Sequence, residues 1–282
     1  MLASILTLGG IGLFAAIALG IAAKKFAVEI DPRELAILEV LPGANCGACG
    51  LPGCGGYAKS IVDGSMAPNL CTPGGSETIE KIAHIMGVEA ISTDPQVAVV
   101  CCQGDNAKAS LKYQYLGLED CNAAQKIADG PKNCPGGCLG LGSCVRACPF
   151  DAIEITTEGL AVINREKCTG CQKCIVTCPR SVIKMTPLSI TTHVLCNSTD
   201  KGALVRKYCQ VGCIACQICK KNAPESYQIE NFLARVVYEA AEGAEAVVEK
   251  CPTKCIRDFS TGYPEGSSFC AVGPVKKPEQ AA

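Results

Sequence analysis

The run Cys168-x2-Cys171-x2-Cys174-x3-Cys178-Pro179 is the most chemically specific feature of this chain. Three thiolates two residues apart can wrap one corner of an iron–sulfur cube. The fourth, before proline, sits too far round and reaches a second cube. A two-cluster unit therefore needs two such runs that exchange their last cysteines. Cys134, Cys138, Cys144 and Cys148-Pro149 supply the other, with Leu141 at the usual middle place. This reading puts one [4Fe–4S] cluster on Cys134, Cys138, Cys144 and Cys178, and a second on Cys148, Cys168, Cys171 and Cys174. A third motif, Cys46-x2-Cys49-x4-Cys54-x16-Cys71, lies among Gly43, Gly47, Gly50, Gly53, Gly55 and Gly56. Their freedom lets backbone N–H groups approach cluster sulfurs. Paired C-x-x-C motifs also suit zinc, but the compact triple followed by Cys-Pro favours iron and sulfide.

The chain repeats itself. Shifted by 75 residues, 121–134 lies on 196–209, and Cys134, Cys138 and Cys144 fall on Cys209, Cys213 and Cys219. At a shift of 73, Gly170 meets Gly243 and Cys178-Pro179 meets Cys251-Pro252. The second copy replaces Cys148, Cys168, Cys171 and Cys174 with Ala223, Ala241, Ala244 and Val247, so one complete ligand set is gone. Cys216 fills the middle place that Leu141 lacks. A single cluster on Cys213, Cys216, Cys219 and Cys251 is expected there, with apolar packing in the vacated site and a plain amphipathic helix over "EAAEGAEAVVEK". That makes four [4Fe–4S] clusters on sixteen cysteines. Cys101, Cys102, Cys121, Cys196, Cys209, Cys255 and Cys270 remain; the repeated pairs Cys121/Cys134 and Cys196/Cys209 leave a fifth cluster open, while buried thiol packing suits the rest.

The elements that must position these cysteines follow from the pattern around them. Residues 1–23 carry no charge and are followed by Lys24 and Lys25. Such a run is long enough for a membrane span, and the trailing lysines place the rest of the chain in the cytoplasm. There thiols stay reduced, which disfavours a disulfide framework for the 23 cysteines. A short helix capped by Asp31, with Pro32 first, should end at Pro42-Gly43. "NCGACGLPGCGGYA" is too rich in glycine for regular structure. A second helix should run from Ser76 to Gly87 with Ile79, Ile82 and Ala83 inward. "QVAVV" (96–100) reads as a buried strand, and "AIEI" and "LAVI" as a hairpin closed by Thr156–Gly159.

The expected class is α+β, with a transmembrane anchor at 1–25, a four-cysteine domain at 26–90 and a connector at 91–133. A two-cluster ferredoxin-like βαββαβ unit follows at 134–190, then a degenerate one-cluster unit at 191–262 and a tail at 263–282. The 24–34 segment is an expected hinge. Net charge is −1, which argues against nucleic acid. No P-loop, no G-x-G-x-x-G after a strand and no acid–base pair is present, so no catalytic residue and no nucleotide site are expected. Arg146, Lys167, Lys173 and Arg180 lie near the clusters, where they could attract an acidic partner or simply face solvent.

An uncharged N-terminus, "NCGACGLPGCGGYA" with its distant Cys71, "CLGLGSCVRACPFDAI" and "EKCTGCQKCIVTCPRSVI" together resemble the B subunit of the Rnf complex, over residues 1 to about 256. The "NCGACG" element alone is also similar to the corrinoid iron–sulfur protein large subunit, which lacks the anchor and the tandem ferredoxin units. The Rnf resemblance implies a membrane-bound, single-pass subunit. It would take electrons from reduced soluble ferredoxin and pass them to membrane and peripheral Rnf-type subunits that carry flavin, the NAD site and the ion path. An electron carrier for another membrane enzyme and a zinc-stapled scaffold are the rival readings.

Overall fold

A computed structural model describes residues 2–26, 31–90, 94–263 and 267–269, the side chains of 2–8 excepted. Cys270, residues 27–30 of the expected hinge and most of the expected tail lie outside the described residues.

Helix α1 (Leu2–Lys25) is continuous. Its Ile11, Leu13, Phe14, Ile17, Leu19 and Ile21 are all exposed, so they join no core of this chain. Among the described residues, no helix is long and apolar enough to cross a membrane; the side chains of residues 1–8, which the expected span needs, lie outside them.

The next three helices build a small core. In α2 (Pro32–Val40) the Asp31 carboxylate accepts the Arg33 backbone N–H at 2.8 Å, and Pro32 takes the first turn, where its missing N–H costs nothing. Helix α3 (Cys54–Val62) begins inside the glycine-rich stretch expected to be irregular. Asn45 explains this: its side-chain oxygen accepts the Cys54 N–H at 2.8 Å and caps a helix that glycine content alone would not start. Helix α4 (Gly75–Met86) ends at Gly87 in the left-handed region and buries Thr78, Ile79, Ile82 and Ala83. Ile37, Tyr57, Ile61 and Ile82 meet in the shared core.

The remaining chain forms two similar halves, each with an outer strand pair and a hairpin. In the first, β1 (Gln96–Val100) pairs antiparallel with β4 (Ile183–Pro187), and β2 (Ile153–Ile155) with β3 (Ala161–Ile163). In the second, β5 (Thr192–Val194) pairs with β8 (Ile256–Asp258), and β6 (Tyr227–Glu230) with β7 (Leu233–Val236). Strand β1, assigned to the connector from sequence, is thus the first strand of its unit, and 101–133 is an excursion within that unit. The excursion carries α5 (Cys121–Gln125), capped by Asp120. Short helices α6 (Ser143–Ala147), α7 (Lys173–Thr177), α8 (Gly202–Tyr208) and α9 (Ile218–Asn222) complete the halves.

The amphipathic helix expected over "EAAEGAEAVVEK" does not form. The chain makes two 3₁₀ turns, Tyr238–Ala240 and Ala244–Val247, around Gly243 at φ 78°. Its counterpart Gly170 has φ 70° in the first unit, so the second copy keeps the left-handed turn of a cluster loop after losing its cysteines. Ala241, Ala244 and Val247 are buried in one core with Leu233 and Tyr227, and Ala223 packs against it. The Tyr227 hydroxyl donates to the Ala244 carbonyl at 2.8 Å. Packing has overruled helix propensity here.

Arg165 and His193 join the halves from inside. Both are 1% exposed. The guanidinium donates to His193 Nε2 at 2.8 Å, to the Ile190 carbonyl at 2.7 Å and to the Leu188 carbonyl at 3.0 Å. Because Arg165 can only donate, Nε2 is unprotonated, and the proton sits on Nδ1, 3.3 Å from the Tyr238 hydroxyl. Burial, and then the Arg165 charge, pull the His193 pKa down to about 3, with Asp258 opposing. The unfolded chain takes up a proton below about pH 6.5 that the folded chain refuses until about 3, so stability falls as pH drops through that window. Between pH 6.5 and 5 the loss is about 2 kcal/mol. His193→Gln should flatten this slope in thermal melts of the intact protein from about pH 7 to 5; parallel slopes for the two proteins would contradict it.

Candidate metal centres

Three of the four expected cysteine sets are brought together. Cys46 and Cys49 lie in the turns before α3, Cys54 starts α3, and Cys71 precedes α4. The Tyr57 hydroxyl donates to Ala67 O at 2.8 Å and accepts the Leu70 N–H at 2.9 Å, which fixes the loop that delivers Cys71. Burial pushes the Cys71 thiol up to about 11, reinforced by the nearby sulfurs of Cys54, Cys46 and Cys49. All four are brought together.

In the first ferredoxin-like half, burial and then the sulfurs of Cys168, Cys171 and Cys148 push Cys174 up to about 12, so that set also converges. The Ala98 N–H points at Cys168 Sγ, 3.4 Å away, a contact of the kind that stabilises a reduced cluster. The other set differs from expectation. A cavity of about 360 Å³ is lined by Cys138, Cys144, Cys178 and Cys121, with Leu139, Ala161 and Ile183 as apolar wall. Cys134 is not there; it lines a separate cavity with Cys102, Cys196 and Cys209. The physical reason is the excursion. Asp120 caps α5 and accepts the Ser143 hydroxyl at 2.9 Å, while Ser143 Oγ accepts the Cys121 N–H at 2.7 Å. This pins Cys121 beside α6, where Leu141 offers no thiolate. Residue spacing offers Cys121, 17 residues before Cys138, only for a fifth cluster paired with Cys134; the empty middle place at Leu141 is the signal for its place in this cavity.

In the second half, Cys213, Cys216, Cys219 and Cys251 line a cavity of about 330 Å³. Cys255 joins them, its sulfur 3.6 Å from Cys251 Sγ. Hydrogen bonds to Cys213 and Cys251 hold the Cys255 thiol far above its ordinary range, and the same contact lowers Cys213 to about 6. The Ala234 N–H reaches Cys213 Sγ at 3.5 Å.

Arg180, left open between a cluster partner and a solvated face, is buried. It donates to Cys134 O at 2.5 Å, Gly137 O at 3.1 Å and Gln125 Oε1 at 2.8 Å, and also to Asp129 O. Arg146 and Lys167 are exposed, Arg146 donating to Glu119 O, and Lys173 is half-buried.

Among the described residues, no three His, Cys, Asp or Glu converge enough to hold one metal ion. Cys121, Cys138, Cys144 and Cys178 line one cavity and Cys213, Cys216, Cys219 and Cys251 another, and backbone N–H groups are aimed at the sulfurs of Cys168 and Cys213. The sets also adjoin one another. Cys46 acts on Cys171, Thr72 Oγ1 donates to Gly170 O at 3.3 Å, and Cys174 acts on Cys144.

A family model for an Fe-S cluster matches residues 41–73, and one for a 4Fe-4S dicluster domain matches 135–185. The chain is 42% identical over 250 residues to the B subunit of the Na(+)-translocating ferredoxin:NAD(+) oxidoreductase complex of Acetobacterium woodii, covering 88% of this chain and 75% of that one. It is 41% identical to the B subunit of the proton-translocating ferredoxin:NAD(+) oxidoreductase complex of Clostridium ljungdahlii, covering 89% and 90%. Against the B subunit of the ion-translocating oxidoreductase complex of Methanosarcina acetivorans the figures are 38% identity, 90% and 96%. With relatives at 38–42% identity matched over most of their length, the chain belongs to the family of B subunits of ion-translocating ferredoxin:NAD(+) oxidoreductase, or Rnf, complexes.

Proposed function

We propose that this chain is the electron-input subunit of an Rnf-type complex, taking electrons from reduced soluble ferredoxin and passing them through a line of [4Fe–4S] clusters to its partner subunits. The observation that carries this reading is the succession of adjoining cysteine sets, from Cys46–Cys71 through Cys148–Cys174 and Cys121–Cys178 toward Cys213–Cys251. Each set would hold one cube, whose chemistry is reversible one-electron transfer. The protein's own part is to space the thiolates, exclude water from the cavities and aim N–H groups at sulfur, which tunes potential.

We assign the N-terminal helix to the bilayer. The support is its uncharged sequence, its trailing Lys24-Lys25 and the apolar side chains it exposes on all sides at 11–21. The bulk of the chain then faces the cytoplasm, in contact with membrane and peripheral subunits.

The test is anaerobic purification of the full chain in mild detergent, with iron, sulfide and zinc assays and EPR after addition of reduced ferredoxin. Brown protein whose clusters are reduced by ferredoxin is the expected result. Colourless protein with stoichiometric zinc would sink the proposal.

A further inference from the structure

We infer that Cys102, Cys134, Cys196 and Cys209 form a further [4Fe–4S] site, between the two ferredoxin-like halves, where no ferredoxin motif marks one. The inference rests on the reading of this chain as an iron–sulfur electron carrier, and deepens it.

The four cysteines line one cavity of about 350 Å³ together with Gly104, Gly136, Gly137 and Gly212. Its size matches the two ferredoxin-type cavities, of about 330 and 360 Å³. Size alone decides nothing, since an apolar cavity of about 310 Å³ holds only Cys102 among its walls. The sulfur content separates them.

The internal repeat explains why four sulfurs meet there. The Cys101 N–H donates to Val182 O at 2.8 Å and the Leu195 N–H to Cys255 O at 2.7 Å. Val182 directly precedes β4 and Cys255 directly precedes β8. Cys102 and Cys196 are therefore equivalent, each the second residue of this pattern after the first strand of its half. Cys134 and Cys209 are equivalent by sequence, 75 residues apart. The cavity is thus built from two pairs of matched cysteines, one member of each pair from each half. The match of Cys121 with Cys196 in sequence is a coincidence of spacing: Cys121 opens α5 in the excursion, whereas Cys196 follows β5.

The backbone around the cavity leaves room for sulfur and little else. At Gly104 a Cβ would lie 3.3 Å from Cys209 Sγ and 3.7 Å from Cys102 Sγ; at Gly136 it would lie 2.5 Å from the Asn197 carbonyl oxygen. The loop after Gly104 is stitched to the Cys209 segment by Ser110 N–H to Tyr208 O at 2.8 Å and Gln210 N–H to Lys108 O at 3.0 Å. Arg180 holds the Cys134–Gly137 turn from behind.

Charge supplies an independent argument. Lys132 is 1% exposed, its ammonium donates to Gly104 O at 2.6 Å, and among the described residues it forms no ion pair. A buried ammonium requires an anion nearby. A cube bound by four thiolates is net negative, and Gly104 lies against two of the four sulfurs. The site would also close a gap in the relay. The Cys138 N–H points at Cys102 Sγ at 3.4 Å, and Cys196 neighbours Cys213.

The test is the iron and sulfide content of the full chain purified anaerobically in detergent. Five cubes give about 20 iron and 20 sulfide per chain. Cys196→Ser and Cys209→Ser should each fall to about 16 iron, while Cys101→Ser, a buried neighbour outside the cavity, should keep about 20. A wild-type value of about 16 would overturn this site and leave the relay intact, whereas near-zero iron would overturn the relay itself. Wild type at about 20 with both serine variants also at about 20 would place the fifth cube elsewhere and overturn the assignment. If the serine variants do not fold, iron anomalous scattering from the wild-type protein decides: a peak among the four sulfurs supports the site, and none there refutes it.

Discussion

Cys121→Ser loses about four iron atoms per chain, and Cys121→Ser/Cys134→Ser loses about eight. The first loss follows from the cavity that Cys121 shares with Cys138, Cys144 and Cys178. Three cysteines there come from the two runs that sequence reading paired. The fourth is supplied by the excursion, because the middle place of the first run holds Leu141. Serine preserves the backbone, and the Cys121 N–H keeps its bond to Ser143 Oγ, so the substitution removes a thiolate with little change in packing. The double variant separates two ligand sets. If Cys121 and Cys134 hold different cubes, their losses add. If Cys134 is instead the fourth ligand beside Cys138, Cys121→Ser leaves iron unchanged and the double variant loses only one cube. Iron analysis with EPR spin counting on the reduced proteins distinguishes these outcomes. Electron transfer from ferredoxin should be slowed most in the double variant, where two adjoining sites are lost.

Arg165→Met lowers stability by about 3 kcal/mol or more. This guanidinium is held by His193 Nε2 and by the carbonyls of Leu188 and Ile190, with Pro187 O at 3.4 Å. These carbonyls lie on the turn that links β4 of the first half to β5 of the second. Phe259 stacks below, its centroid 5.7 Å from the guanidinium carbon. Methionine would leave several buried acceptors without donors at the junction of the halves, and each such group costs about 1–3 kcal/mol. Lysine should rescue little, since a single ammonium cannot span a ring nitrogen and two separate carbonyls in one plane. Thermal melts of the intact protein, followed by loss of cluster absorbance, should show Arg165→Met and Arg165→Lys both well below wild type. A melting temperature within about 2 °C of wild type for Arg165→Met would remove this account, given that a small domain shifts by about 4–8 °C per kcal/mol and larger ones by less.

Much of the chemistry was legible in residue spacing because cluster loops are local. Cys168, Cys171 and Cys174 lie within seven residues, so their spacing alone lets them share a cube. The same locality made β1, the β2–β3 hairpin, α2 and α4 readable from alternation, capping residues and helical period. Locality also explains the errors. Helix α3 depends on Asn45, nine residues before Cys54 and outside its own segment. The helix expected at 239–250 gave way to core contacts with Tyr227 and Leu233, which come from the facing hairpin. The buried roles of Arg165 and Arg180 carry no periodic signal, since each is fixed by carbonyls from distant turns.

Residue order was enough to give the class of cofactor, the contiguous cysteine motifs and the internal repeat in which Ala223, Ala241, Ala244 and Val247 stand where the first copy has cysteine. Which cysteine completes each set was a matter for long-range packing. Cys121 takes the place expected of Cys134 in the first cavity because Asp120 and Ser143 tie its loop to α6. Cys134 then meets Cys102, Cys196 and Cys209 because two copies of one fold face each other. The fourth cysteine of the first cavity arrives from a distant loop, and the packing of that loop decides which sulfur lies beside Cys138, Cys144 and Cys178.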